Sequence, residues 1–186
     1  MKLSIAKFGN PILREKAWPV KEVGQDLKEL ARDMIETMRV ERGVGLAAQQ
    51  VSRTEAICVV EVPTSYDMDE NNVRLNPDIP MPLVLVNPEI VEASEDKASC
   101  EEGCLSFPDI SAPVSRSTEI QVRYMDLKGK TNILTARFFL ARAIQHEMDH
   151  LAGVLIVDRM SAIKKIALSG QLKRLKKSTQ AELAEI

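Results

Sequence analysis

Residues 145–151 read Gln145-His146-Glu147-Met148-Asp149-His150-Leu151, and they lie inside a stretch, 138–152, that contains neither glycine nor proline. Leu140, Ile144, Met148 and Leu151 recur within it at helical spacing, and Gly153 follows where a left-handed cap belongs. One helix is therefore expected here. At 3.6 residues per turn His146 and His150 share a face, so both imidazoles can be aimed at one point with the Glu147 carboxylate beside them. Two neutral imidazoles and an adjacent carboxylate are what a catalytic metal hydrolase needs, the carboxylate to take a proton from water. A solvated polar helix face carrying the same residues by accident is the plain alternative. The chain has 2 histidines and both stand in this motif, which weighs against accident.

The rest of the chain supplies a setting for that helix. Leu27, Leu30, Ala31, Met34, Ile35 and Met38 fall at helical spacing, so the stretch 25–42 reads as an amphipathic helix closed by Gly43. The β-branched run around Ile57-Cys58-Val59-Val60 reads as a buried strand ended by Pro63. The polar, proline-punctuated stretch 64–82 reads as a long surface loop, and Leu83-Val84-Leu85-Val86 as a strand stopped by Asn87-Pro88. Alternation over 120–124, a turn at 126–130 and a partner strand over 132–137 make a hairpin. The expected fold class is α+β: antiparallel strands surrounding a central metal-binding helix, with an N-terminal helix and a C-terminal helical tail. Residues 1–160 are expected to form a single catalytic domain and 161–186 the tail.

With 186 residues the chain has room for one domain and one site. It is 45% hydrophobic and 28% charged with a formal net charge of -2, an ordinary globular balance that calls for no DNA partner. No apolar run reaches the length of a signal peptide or a membrane span, so a cytoplasmic protein without membrane attachment is expected. In a reducing compartment Cys58, Cys100 and Cys104 are more plausibly buried, reactive or metal-bound than bridged.

A catalytic metal needs a third protein ligand and an open position. Ile156 stands where one zinc-peptidase pattern would place a further histidine, so the ligand is an acid or a thiolate. Glu102-Gly103-Cys104-Leu105-Ser106 offers Cys104, and a thiolate with two imidazoles suits Fe(II), Zn or Ni. Taken alone, Cys104 reads better as a small buried apolar residue. Gly43-Val44-Gly45-Leu46-Ala47-Ala48-Gln49-Gln50 marks either tight packing or a place where a substrate backbone comes close, with a glutamine amide available to an oxyanion.

Together the three segments resemble the peptide deformylases, whose pattern is Gly-x-Gly-x-Ala-Ala-x-Gln, then Glu-Gly-Cys-Leu-Ser, then Gln-His-Glu-x-Asp-His-Leu. All three match, in order, over nearly the whole chain. The resemblance implies removal of the formyl group from the N-terminal methionine of new polypeptides. It implies one divalent metal ion, commonly Fe(II) and replaceable by Ni, Co or Zn, held by Cys104, His146 and His150. Glu147 would act as base and then acid, and Gln50 with the backbone N–H of Leu105 would stabilise the oxyanion. The substrate would lie as a strand along Val44, Gly45 and Leu46 and the segment that includes Gly103. Val44, the stem of Arg142 and Ala143 would line the methionine pocket, although an exposed helix residue is an equal reading of Arg142.

Glu102 is expected to order the Gln145 and Cys104 region from behind, and Asp149, turned off the metal face, to pair with Arg116. Cys100, four residues from Cys104, is expected to form a disulfide with it once metal is lost. Seven basic residues and no acidic one lie between Arg159 and Lys177, which reads as a solvated face or as a ribosome-docking helix. A peptidase of the His-Glu-x-x-His type and a metal-binding protein without turnover remain the competing readings.

Overall fold

A computed structural model describes residues 1–185. It contains helix α1 (Gln25–Val40), strands β1 (Gly45–Ala47), β2 (Ile57–Val60), β3 (Leu83–Ala93), β4 (Lys97–Cys104), β5 (Phe107–Ser117), β6 (Glu119–Met125) and β7 (Thr131–Arg137), then helices α2 (Phe138–Leu151), α3 (Ile156–Arg159), α4 (Ala162–Ala167) and α5 (Ser169–Ala184). The fold is α+β. Five strands form an antiparallel sheet in the order β1-β2-β3-β6-β7, and β4 with β5 forms a separate hairpin. Helix α2 packs across the sheet as the central element.

Strand β2 shows why its sequence is apolar at every position. Cys58 and Val60 face a core shared with Leu85, Val122, Leu140 and Ile144, while Ile57 and Val59 face a second core made with Leu30, Met34 and Met38 of α1. A strand covered on both faces loses the alternation of a half-exposed one. Each such side chain contributes roughly 1.5–3 kcal/mol by leaving water. A third core joins Phe107, Ile110 and Ala112 of the hairpin to Leu155, Ile156 and Leu172. The α5 tail is therefore docked onto the hairpin through Leu172, while its basic residues Lys173, Arg174, Lys176 and Lys177 stay exposed. Among the described residues no helix is long and apolar enough to cross a membrane.

Several local expectations change. Helix α1 ends two residues earlier, and the left-handed residue is Arg42 (φ 58) rather than Gly43. The N–H groups of Arg42 and Gly43 close a Schellman motif on Arg39 and Met38 at 3.1 and 2.8 Å. Asn87-Pro88 does not stop β3. The chain shifts register between Val86 and Glu89, with Asn87 at φ 48, and a bulge of this kind accepts a proline that has no N–H to give. The stretch 64–82 is anchored rather than loose: Asp67 and Asn76 are buried and Asn76 Nδ2 donates to Asp67 at 2.6 Å.

The β4–β5 hairpin had no counterpart among the expected elements, since Lys97-Ala98-Ser99-Cys100-Glu101 offers no apolar alternation. Its geometry also removes the expected Cys100–Cys104 disulfide. Cys100 pairs with Val114 and Gly103 with Ser111 along one extended strand. Four residues of strand span roughly 13 Å, about twice the reach of a disulfide.

Candidate metal centre and cleft

Helix α2 brings His146 and His150 to one side, and the end of β4 brings Cys104 to meet them. Their ligand atoms all lie within 4.8 Å of one another. Cys104 Sγ is 3.2 Å from His150 Nε2, and the two imidazole rings stand edge to face with centroids 5.1 Å apart. His146 Nδ1 lies 3.0 Å from Glu102 Oε2, an arrangement that leaves Nε2 free for the ligand cluster. Burial holds His150 well below the usual histidine pKa, in the neutral form a metal requires. At His146 burial acts the same way, but Cys104 and Glu102 outweigh it and hold the ring's pKa up.

A cysteine sulfur and two imidazole nitrogens converge here, and one imidazole is already oriented by a carboxylate. His150 Nδ1 and Glu147 Oε2 are buried without a hydrogen-bond partner among the described residues. This donor set, with the unpartnered Glu147 oxygen beside it, fits one divalent ion of the Fe, Zn, Ni or Co type. Burial raises the Glu147 pKa to about 7 against the pull of His146 and Arg116. A cation at the ligand cluster would favour its charged form.

Glu147 lies against β1. A Cβ on Gly45 would overlap its carboxylate and approach its Cγ to 2.8 Å, so only glycine lets the strand come this close. Gln50 follows in the turn after β1, where its Oε1 accepts from the Ala47 N–H at 2.9 Å. That contact directs Nε2 toward Cys104 Sγ at 3.4 Å and Ser106 Oγ at 3.3 Å. Gly45, Gln50, Cys104 and Glu147 line a cleft of about 1080 Å³ together with Val44, Gly103, Leu105, Arg142 and Ala143. Strand β1 is an edge of the sheet and stands beside this cleft.

The positions differ from expectation at several residues. Leu46 is fully buried against α1, so its side chain does not reach the cleft. Arg142 is neither exposed nor a simple pocket wall: its stem lines the cleft while its guanidinium is buried in the hairpin. Glu102 accepts from Arg116 Nε at 2.7 Å and Nη2 at 2.9 Å, from Arg142, and from His146; burial pushes its pKa up, but His146 and Arg116 outweigh that and hold it at about 2. It orders His146, not Gln145. Gln145 sits 100° around the helix and spends its amide on the backbone of Ser117 and Ala141, away from the ligands. Asp149 accepts from Arg116 at 2.8 Å and also from Arg159. Phe139 was missed as a lining residue, although its place four residues before Ala143 on the same helix face was a usable signal.

The comparisons with known proteins agree with this geometry. A family model described as polypeptide deformylase matches residues 2–166. A peptide deformylase of Orientia tsutsugamushi (strain Ikeda) is 43% identical over 174 residues, covering 94% of this chain and 95% of its own. The crystal structure of peptide deformylase from Ehrlichia chaffeensis superposes with a TM-score of 0.84 at 33% identity, over 98% of this chain and 99% of that one. A peptide deformylase from Synechococcus elongatus, solved in complex with actinonin, gives 0.79 at 37% identity, over 91% and 87% of the two chains. With its sheet, its Cys-His-His cluster and its matched length all in accord, this chain belongs to the polypeptide deformylase family.

Proposed function

We propose that Cys104, His146 and His150 hold one divalent metal ion, most naturally Fe(II) with Zn, Ni or Co as substitutes, and that Glu147 drives hydrolysis of the formyl amide beside it. The overall reaction is that of the family: the formyl group of an N-terminal formylmethionine is released as formate. The observation that carries the residue assignment is the convergence of one sulfur and two ring nitrogens within 4.8 Å, next to a buried carboxylate without a partner.

When bound, the metal supplies Lewis acidity that activates water and polarises the formyl oxygen. Glu147 takes a proton from the attacking water at Oε2 and then delivers it to the departing amine nitrogen. Gln50 Nε2 and the backbone N–H of Leu105 donate to the oxyanion that develops, a role worth about 2.7–4 kcal/mol of barrier per donor. The substrate chain adds as a strand along Val44, Gly45 and Leu46, using only backbone at Leu46, with Gly103 on the opposite side. Val44, Phe139, Ala143 and the Arg142 stem receive the methionine side chain.

In this reading residues 1–160 form the catalytic unit, and the enzyme works in the cytoplasm on nascent chains. Arg159 and Lys164 of the basic run are engaged with Asp149 and Glu101. The exposed cations of α5 are left to meet ribosomal phosphate. Salt-sensitive co-sedimentation with ribosomes that is lost on truncation after Met160 supports that contact, and co-sedimentation that survives truncation rejects it. The peptidase reading is not favoured, because Ile156 is buried in the third core and no further histidine exists. The deciding assay is anaerobic release of formate from formyl-Met-Ala-Ser with metal content measured in parallel. Cleavage of unformylated peptides without formate release would overturn the assignment.

A further inference from the structure

Arg142 stands one helical turn before His146 on α2. Its stem lines the cleft beside Phe139 and Ala143. Its guanidinium reaches out of the cleft and into the hairpin, where Nη1 donates to Glu102 Oε1 and, at 2.8 Å, to the Val114 carbonyl, while Nη2 donates to the Ala98 carbonyl at 2.6 Å. Ala98 and Glu102 belong to β4 and Val114 to β5, so one side chain ties both strands of the hairpin to the helix. The same Glu102 carboxylate holds His146 Nδ1 through its other oxygen. Arg116 also bonds Glu102, but it reaches α2 only at Asp149, which accepts on the side of the helix away from the cleft.

We propose that Arg142 is a positioning residue that joins the wall of the side-chain pocket to the metal ligands. It fixes Glu102, and with it the ring of His146, and it clamps the strand that carries Cys104 against the helix that carries both histidines. The planar guanidinium suits this task because its rigid fork places donors on two separate nitrogens, Nη1 toward Glu102 and Val114 and Nη2 toward Ala98, whereas an ammonium offers all its donors from one compact point. The inference rests on the reading of Cys104, His146 and His150 as a metal site. It also gives the pocket a link to catalysis: a substrate side chain that displaces the Arg142 stem also moves Glu102, so misfit in the pocket lowers kcat and not only the apparent affinity.

The test compares the full-length chain with Arg142→Leu, which keeps an apolar stem, and Arg142→Lys, which keeps a charge for Glu102 alone. Each protein is loaded with Co(II). The readouts are the metal dissociation constant from chelator competition, the visible cobalt bands including thiolate charge transfer, and kcat and KM for formate release. Failure of the parent to bind Co(II) with a thiolate band sinks the metal-site reading itself. With the parent loaded, Arg142→Leu is expected to bind metal roughly 10–100-fold more weakly with a shifted cobalt spectrum, and Arg142→Lys to recover part of the loss. Parent-like affinity and spectrum in both variants overturn the proposal. Should Arg142→Leu not fold, Arg142→Lys decides alone: weakening by about threefold or more supports the role, and parent-like binding rejects it.

Discussion

The carboxylate of Glu147 lies directly over the backbone of Gly45, with no space for a Cβ between them. The two residues belong to α2 and β1, so the proposed acid–base group and the strand that borders the cleft are set by one contact. Replacing Gly45 with alanine must push the carboxylate away from the ligand cluster. A displacement of about 1 Å costs on the order of 10²-fold in rate, so kcat/KM of Gly45→Ala is expected to fall by at least that factor. At Gly43 the sole close approach of a Cβ is to Leu105 Cδ1, the end of a flexible side chain, at 2.8 Å, with Leu105 Cγ and the Gly45 carbonyl at 3.4 Å. Gly43→Ala is therefore expected to lose much less, and formate-release kinetics on the two variants check the contrast.

Gln50 is held by the Ala47 N–H, so its amide nitrogen faces Cys104 without reorganisation. Gln50→Ala is expected to lower kcat by roughly 10²–10³-fold while KM changes far less, the pattern of a donor used in the transition state. An equal rise in KM with unchanged kcat would assign Gln50 to ground-state binding instead.

The extended path of β4 keeps Cys100 away from Cys104, so Cys100 offers no route to a disulfide at the site. The Cys100→Ser variant is expected to lose activity in air at the same rate as the parent, whereas chelation is expected to lower the melting temperature of both. In Cys104→Ser the effect of chelator on melting should vanish, because the stabilisation that a ligand gives follows its occupancy. Thermal melts with and without chelator measure both outcomes.

Asp158 ties the N-terminal segment to α3 through Arg14, and its Oδ2 accepts from the Leu155 N–H at 2.8 Å. Burial pushes its pKa up, yet the bonds from Arg14 and Leu155 outweigh that and leave it below its ordinary 3.8. A depressed carboxylate pKa gives stability that is present above the ordinary value and is lost as pH falls through it toward the folded value. Asp158→Asn is expected to be less stable than the parent at neutral pH, with the gap closing below about pH 4. Urea melts across that range test the sign, and a gap that widens on acidification contradicts it.

Much of the fold was legible where the signal is local. Helices α1 and α2 announced themselves because an amphipathic helix repeats its apolar residues every three or four positions, and both faces of β2 are covered, which produced its unbroken apolar run. The β4–β5 hairpin was illegible for the opposite reason. Strand β4 is exposed at most positions, and its pairing with β5, whose Ile110, Ala112 and Val114 alternate inward, is specified by register and by the Phe107 core beneath it. Asn87-Pro88 carried a strong local stop signal that a bulge and two hydrogen bonds between Asn87 and Val20, the Val20 N–H donating to Oδ1 and Nδ2 donating to the Val20 carbonyl, overrode. Gln145 was expected to be ordered by Glu102, and helical rotation turns its amide to the Ser117 and Ala141 carbonyls instead.

What the sequence determined by itself was the chemistry on offer: two imidazoles four residues apart with a glutamate between, a cysteine in a short distinctive segment, and a glycine-rich segment ending in glutamine. Backbone geometry within one helix is enough to bring His146 and His150 to the same face. Only the tertiary structure decided that Cys104 reaches them, that Gly45 lies under Glu147, and that Arg142 turns from the cleft to hold Glu102. Contacts of that kind join residues far apart in the chain. They depend on how separate cores stack the sheet, the hairpin and the helix, and no local pattern of residues encodes that stacking.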